Sequence, residues 1–283
     1  MRATTTALTG LLAAGAAAQN STSACASGLH IIAARGSNEP PGPGRIGVVA
    51  SGVVEAVPGS QIESVDYPAI LETIQLMDYY SSVAEGAAAL KVALTNYTSR
   101  CPSSKVALLG YSQGANVVGD ALCGEIQGLF PDTEPISSSI FNRWFPQLTH
   151  LAVVAVVLFG DPTHNTTETW NKGTATVDGL FPRKNTTACD AYAPKIGSWC
   201  DENDWACSGG SASATVHGSY FANYTDDAVE FVVERFEASK TVENDTDSAT
   251  PTQTAVPGAG AVGAAPGMLL SMAGLSMLAA FFL

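Results

Sequence analysis

The chain has 283 residues, 46% of them hydrophobic and 14% charged, a composition that suits a globular domain with a sizeable core. Its 26 acidic residues against 13 basic ones give a formal charge of -13, which repels phosphate backbones and anionic lipid surfaces and sets nucleic acid aside as a partner.

In chain order, the first feature is a processing signal. Arg2 precedes an uncharged stretch rich in Leu and Ala, and Ala16-Ala17-Ala18 stand before Gln19, so residues 1–18 read as a secretory signal removed after Ala18. Residues 19–238 then have the length of one domain. Within it, the apolar runs 29–34, 60–67, 105–110 and 151–160 read as strands. The first, third and fourth barely alternate, as expected of strands covered on both faces. Val83, Ala87, Leu90, Leu94 and Tyr97 recur at helical spacing, as do Ala115, Val118 and Leu122. Thr225 reads as the N-cap of a last helix, with Asp226 and Asp227 in its first turn and Ala228, Val229, Val232, Val233 and Phe236 along one stripe. Strands separated by helices imply a mostly parallel central sheet with helices on both faces, an α/β fold.

Gly110-Tyr111-Ser112-Gln113-Gly114 follows a predicted strand and opens a predicted helix. A nucleophile elbow needs that context, because the glycines let the chain turn sharply and keep Cβ atoms out of the way. A serine hydroxyl is a poor nucleophile at neutral pH, so a histidine must take its proton and an acid must hold that histidine. Four histidines are available: His30, His150, His164 and His217. The order serine, acid, histidine favours His217, with Asp201, Glu202 or Asp204 ahead of it. His164 would leave Asp161 as its acid, and Asp161 reads better as a turn residue at a strand end.

Asn-x-Ser/Thr sequons at Asn20, Asn96, Asn165, Asn185, Asn223 and Asn244 fit a secreted chain. Six cysteines, Cys25, Cys101, Cys123, Cys189, Cys200 and Cys207, form an even set without a C-x-x-C pair, favouring disulfides over metal ligation, and their spacing alone leaves 15 connectivities. Residues 239–267 read as a Thr, Ala, Gly and Pro-rich stalk, and 268–283 are apolar to the last residue. Together they read as a GPI-attachment signal, with Gly258 as the candidate site and Ser248 or Ala249 as alternatives; a tail-anchoring helix is the competing reading.

"GYSQG", "CDENDWAC" and "HGSY" resemble the fungal cutinase and acetylxylan esterase family, compact lidless α/β-hydrolases. In that family the acid lies in a short disulfide loop, and Cys200, Asp204 and Cys207 match its spacing. The resemblance therefore implies a Cys200–Cys207 bridge and a triad of Ser112, His217 and Asp204, with Asp201 and Glu202 as solvated neighbours. It places the oxyanion donors at Ser37, within "ARGSNEP", and at the backbone of Gln113. It pairs Cys25 with Cys101 and leaves Cys123 with Cys189. By itself, the stretch around Ser37 and Asn38 reads equally as a plain turn. The resemblance implies a monomeric serine esterase without metal or cofactor, acting on acetylated wall polysaccharide or other short-chain esters. Membrane contact would come only through the lipid anchor. The polar "SGGSASATV" before His217 favours short acyl groups or a polar alcohol, whereas "RGSNE" resembles the cutinase version, which acts on polyester. A non-catalytic wall or binding protein on the same fold is the alternative from another class.

Overall fold

The computed structural model describes residues 24–71, 76–124, 152–209 and 214–247. Six strands form one parallel sheet: β1 (Leu29–Ala34), β2 (Gln61–Ser64), β3 (Lys105–Tyr111), β4 (Val153–Phe159), β5 (Asn171–Lys172) and β6 (Ile196–Trp199), in the order β2-β1-β3-β4-β6-β5. Every residue of β1 and β4 is buried, which explains their unbroken apolar sequences.

Neighbouring strand residues face opposite layers. Ile32, Leu108 and Val156 pack under α2 (Leu76–Arg100) and α3 (Gln113–Cys123), where Val83, Ala87, Leu90, Leu94, Tyr97, Ala115, Val118 and Leu122 are all buried. Ile31, Leu109 and Val157 face α1 (Gly47–Ala56) and the last helix, which contribute Val49, Val53, Ala228, Val232 and Phe236. Short helices α4 (Ala214–His217) and α5 (Tyr220–Asn223) precede that last helix, α6 (Thr225–Asp247).

Three disulfides close the domain: Cys25–Cys101, Cys123–Cys189 and Cys200–Cys207. The first ties the chain before β1 to the end of α2. The second ties the end of α3 to the long segment between β5 and β6. A buried Arg183–Asp120 ion pair of 2.6 Å reinforces that second connection.

Three expected element boundaries differ in the structure. Thr225 does not cap a helix: it is the first residue of α6, and its hydroxyl donates to the Phe221 carbonyl at 2.7 Å. The helix runs past residue 238 to Asp247, so the start of the expected stalk is helical and carries Asn244. The second strand covers only Gln61–Ser64, shorter than the run from 60 to 67. Residues 1–18, Asn20, His150, Ser248, Ala249, Gly258 and the tail 268–283 lie outside the described residues.

Gly114 is where α3 meets the sheet. A Cβ there would lie 2.0 Å from the Ala34 carbonyl oxygen, and the obstacle is backbone that cannot swing aside. Gly114→Ala is expected to lower unfolding free energy by about 3 kcal/mol or more, checked by urea denaturation and soluble yield.

Candidate active site

The strand order reverses between β1 and β3, because the chain moves from β1 outward to β2 and then returns to β1's other side. Helices leave in opposite directions at such a point and open a crevice at the carboxyl ends of the strands. The loop after β1 holds Ser37, and the turn after β3 holds Ser112.

Ser112 has φ 55° and ψ -121°, a conformation disfavoured for any residue with a Cβ. Surrounding structure imposes it. The Ser112 N–H donates to Phe159 O at 2.8 Å, and the Ser112 carbonyl accepts from Ala115 and Asn116 in the first turn of α3. A Cβ on Gly110 would fall 2.5 Å from the Gly114 carbonyl oxygen, so the turn needs glycine on both sides of the serine. The result is a side chain held clear of both strand and helix.

His217 Nε2 lies 2.8 Å from Ser112 Oγ, and His217 Nδ1 lies 2.8 Å from Asp204 Oδ2 and 3.0 Å from Oδ1. The histidine ends α4, 105 residues beyond the serine. Its ring sits beside Trp205 at 5.1 Å and Tyr111 at 5.2 Å between centroids, and Gly160, at φ 60°, passes close enough that a Cβ would lie 2.9 Å from His217 Cε1. Tyr111 also donates its hydroxyl to the His217 carbonyl at 3.0 Å. The imidazole is thus fixed by packing as well as by hydrogen bonds.

Asp204 is fully buried. Burial alone would push its carboxyl upward. The His217 ring, the Tyr220 hydroxyl (2.6 Å) and the Ala206 N–H (2.7 Å) outweigh that effect and hold it below the ordinary aspartate value. Asp204 is therefore ionised at neutral pH, and the tautomer it selects places the proton of neutral His217 on Nδ1 and leaves Nε2 free to accept from Ser112.

The loop carrying Asp204 is closed by Cys200–Cys207, seven residues apart in sequence. A chain-entropy argument gives such a short loop about 2–3 kcal/mol of stabilisation, less than a long one. Its larger effect should be on the position of Asp204. Replacing Cys200 and Cys207 together by Ser is expected to lower kcat more than tenfold and the unfolding midpoint by roughly 5–10 °C; paired ester-hydrolysis and thermal-melt measurements check this.

The segment after β1 is also braced. Arg35 is buried at 3% exposure and donates to the carbonyls of Glu39, Val65 and Tyr67. Glu39 accepts from the Gly36 N–H at 2.8 Å, and Asn38, at φ 58°, donates its N–H to Ala69 O. Among the described residues no hydrogen bond takes up the Ser37 N–H. Gln113, as the first residue of α3, has an N–H without an intrahelical acceptor, and its side chain is locked between Ser82 Oγ and Ile70 O.

Other sequence candidates go elsewhere. His30 stacks on Tyr97 and bonds Glu63 at 2.8 Å. His164 is buried beyond β4, and Asp161 accepts from Thr163, closing the expected turn. Glu202 is exposed as anticipated, but Asp201 is not a solvated neighbour: it is buried and accepts from Tyr224 OH at 2.8 Å and from Thr174. Sequence reasoning gave no role to Tyr220, whose only signal is its place three residues after His217, or to Trp205, which lies inside the disulfide loop.

The parallel sheet, the strained serine and the buried histidine–carboxylate pair define the class: an α/β-hydrolase. Residues 25–236 match the cutinase family model, and the chain belongs to the cutinase family. It is 36% identical over 209 residues to acetylxylan esterase 2 of Talaromyces purpureogenus, covering 72% of this chain and 85% of the relative. Cutinase 11 of Verticillium dahliae is 34% identical over 209 residues, covering 72% and 67%. The solved catalytic core domain of acetyl xylan esterase from Trichoderma reesei superposes with a TM-score of 0.66 at 30% identity, covering 75% of this chain and 100% of that one. The protein is a carboxylic ester hydrolase.

Proposed function

We propose that the protein is a secreted serine esterase that removes short acyl groups, acetyl foremost, from wall polysaccharide. The observation that carries this reading is the unbroken chain Ser112 Oγ, His217 and Asp204, with both links at 2.8 Å. Ser112 Oγ attacks the ester carbonyl while its proton passes to His217 Nε2, and the N–H groups of Ser37 and Gln113 donate to the developing oxyanion. The tetrahedral intermediate collapses, the C–O bond to the alcohol breaks, and His217 protonates the leaving oxygen. Water then attacks the acyl-Ser112, His217 takes its proton, and a second collapse releases the acid and returns the proton to Ser112. Asp204 stabilises the imidazolium in both halves.

Secretion and lipid tethering belong to the same proposal. Three disulfides fit an oxidising compartment. The sequons at Asn96, Asn185 and Asn223 are exposed, whereas Asn165 is half-buried with its amide donating to Arg183 O at 2.8 Å. The tether would join near Gly258, beyond the end of α6.

A second reading, cutinase-type action on longer acyl groups, is favoured by an exposed apolar side chain close to Gln113, that of Ile70, whose carbonyl Gln113 holds at 2.8 Å. Residues 210–213, before His217, lie outside the described residues. Hydrolysis of p-nitrophenyl esters from acetate to palmitate separates the two. Activity confined to acetate and butyrate supports the acetyl esterase, activity extending to palmitate supports the cutinase-type reading, and no activity overturns both.

A further inference from the structure

At the sheet edge formed by β5 and β6, a groove of about 230 Å³ is lined by Thr169, Asn171, Lys172, Pro194, Phe231 and Arg235, among others. Water occupies about 30 Å³ in the liquid, so the groove has room for a sugar ring and more than a bare ion.

Its charge is opposite to that of the molecule. In a chain with twice as many acids as bases, Lys172 and Arg235 converge on one ring: Lys172 Nζ lies 5.5 Å and the Arg235 guanidinium carbon 5.0 Å from the Phe231 centroid. Neither cation forms an ion pair among the described residues. Arg235 Nε is shielded from solvent and has no hydrogen-bond partner. Two like charges beside one aromatic ring, one with a desolvated donor, are an arrangement that an anion would complete.

A third group narrows the anion's chemistry. The Asn171 amide donates through Nδ2 to Asn165 O at 2.7 Å, which fixes its orientation and leaves Oδ1 buried without a donor. The groove thus sets cationic donors for a carboxylate on the same wall as Asn171, a lining residue whose acceptor lacks a donor. A hydroxyl-bearing carboxylate of sugar size, a uronic acid, matches both.

We infer that this groove is a carbohydrate-binding site for uronic acid residues, distinct from Ser112, by which the enzyme holds an acidic polysaccharide. The inference rests on the reading of the substrate as a polysaccharide, and deepens it by naming the sugar class.

The test is an NMR titration of the full-length protein with sodium D-glucuronate, with D-glucose and sodium sulfate as controls, repeated for Arg235→Gln and Lys172→Gln. Glucuronate should bind, glucose and sulfate should bind much more weakly, and each substitution should weaken glucuronate by about tenfold. p-Nitrophenyl acetate hydrolysis should stay within about twofold in both variants, since neither residue touches the Ser112 site. No glucuronate binding, equal binding of glucose or sulfate, or unchanged affinity in both folded variants overturns the site. Failure of p-nitrophenyl acetate hydrolysis in the unmodified protein overturns the esterase mechanism instead, and the titration still reads the groove.

Discussion

Ser112→Ala is expected to lower kcat/KM for p-nitrophenyl acetate by at least about 10³-fold, leaving only what an oxyanion site and binding can supply. The substitution removes one oxygen from a nearly buried position, and the backbone bonds to Phe159, Ala115 and Asn116 do not involve that oxygen. Circular dichroism and the unfolding midpoint should therefore stay close to those of the parent. Ser112→Gly sharpens the test. At φ 55° a side chain carries strain, of the order of 1–3 kcal/mol, that glycine does not. This variant should be equally inactive yet at least as stable as Ser112→Ala. Activity would then be lost at one position without loss of stability, the pattern expected where strain is maintained for function. A Ser112→Ala protein that kept its rate would remove Ser112 from the mechanism.

The second large effect is expected at Asp204. Asp204→Asn keeps the shape but swaps an acceptor for an amide, so His217 Nδ1–H loses its anionic partner and the opposite tautomer becomes favourable. Nε2 would then carry a proton and could not accept one from Ser112. A loss in kcat of about 10⁴-fold is expected, with KM little changed. The same carboxylate shapes acid stability. Its folded value lies below the unfolded one, so its stabilising contribution is present above the ordinary aspartate range and is lost as pH falls through the lowered folded value. The parent should thus lose stability on acidification below about pH 4 more steeply than Asp204→Asn, as urea unfolding across a pH series would show. Identical pH slopes would mean that the carboxylate is not held ionised by its neighbours.

The parts of this molecule that sequence made legible are those where one physical demand dominates. β1, β3 and β4 are covered on both faces, so their sequences are nearly uninterrupted apolar runs. The turn at Ser112 tolerates little besides glycine at 110 and 114, and that intolerance is written in the residues themselves. The helix α1 was not anticipated, because Gly47, Gly52 and four valines are weak helix formers; burial of Val49, Ala50 and Val53 holds it. β5 has two residues and exists only through pairing with β6. Asp201 looked like part of a solvated acidic run, since its partners Thr174 and Tyr224 are 27 and 23 residues away. The burial of Arg35 is hidden from sequence for the same reason: its acceptors Val65 and Tyr67 follow the end of β2. Tyr220 donates to Asp204 across 16 residues, a contact that only the folding of α4 and α5 brings about.

The central claim, that Ser112 is the residue acylated during turnover, is tested most directly by titrating the enzyme with a p-nitrophenyl alkylphosphonate. The site should release one equivalent of p-nitrophenol, lose activity in step with it, and carry a single phosphonyl group on the peptide containing Ser112 by mass spectrometry. Retained activity after stoichiometric labelling, or a label on any other residue, would contradict it.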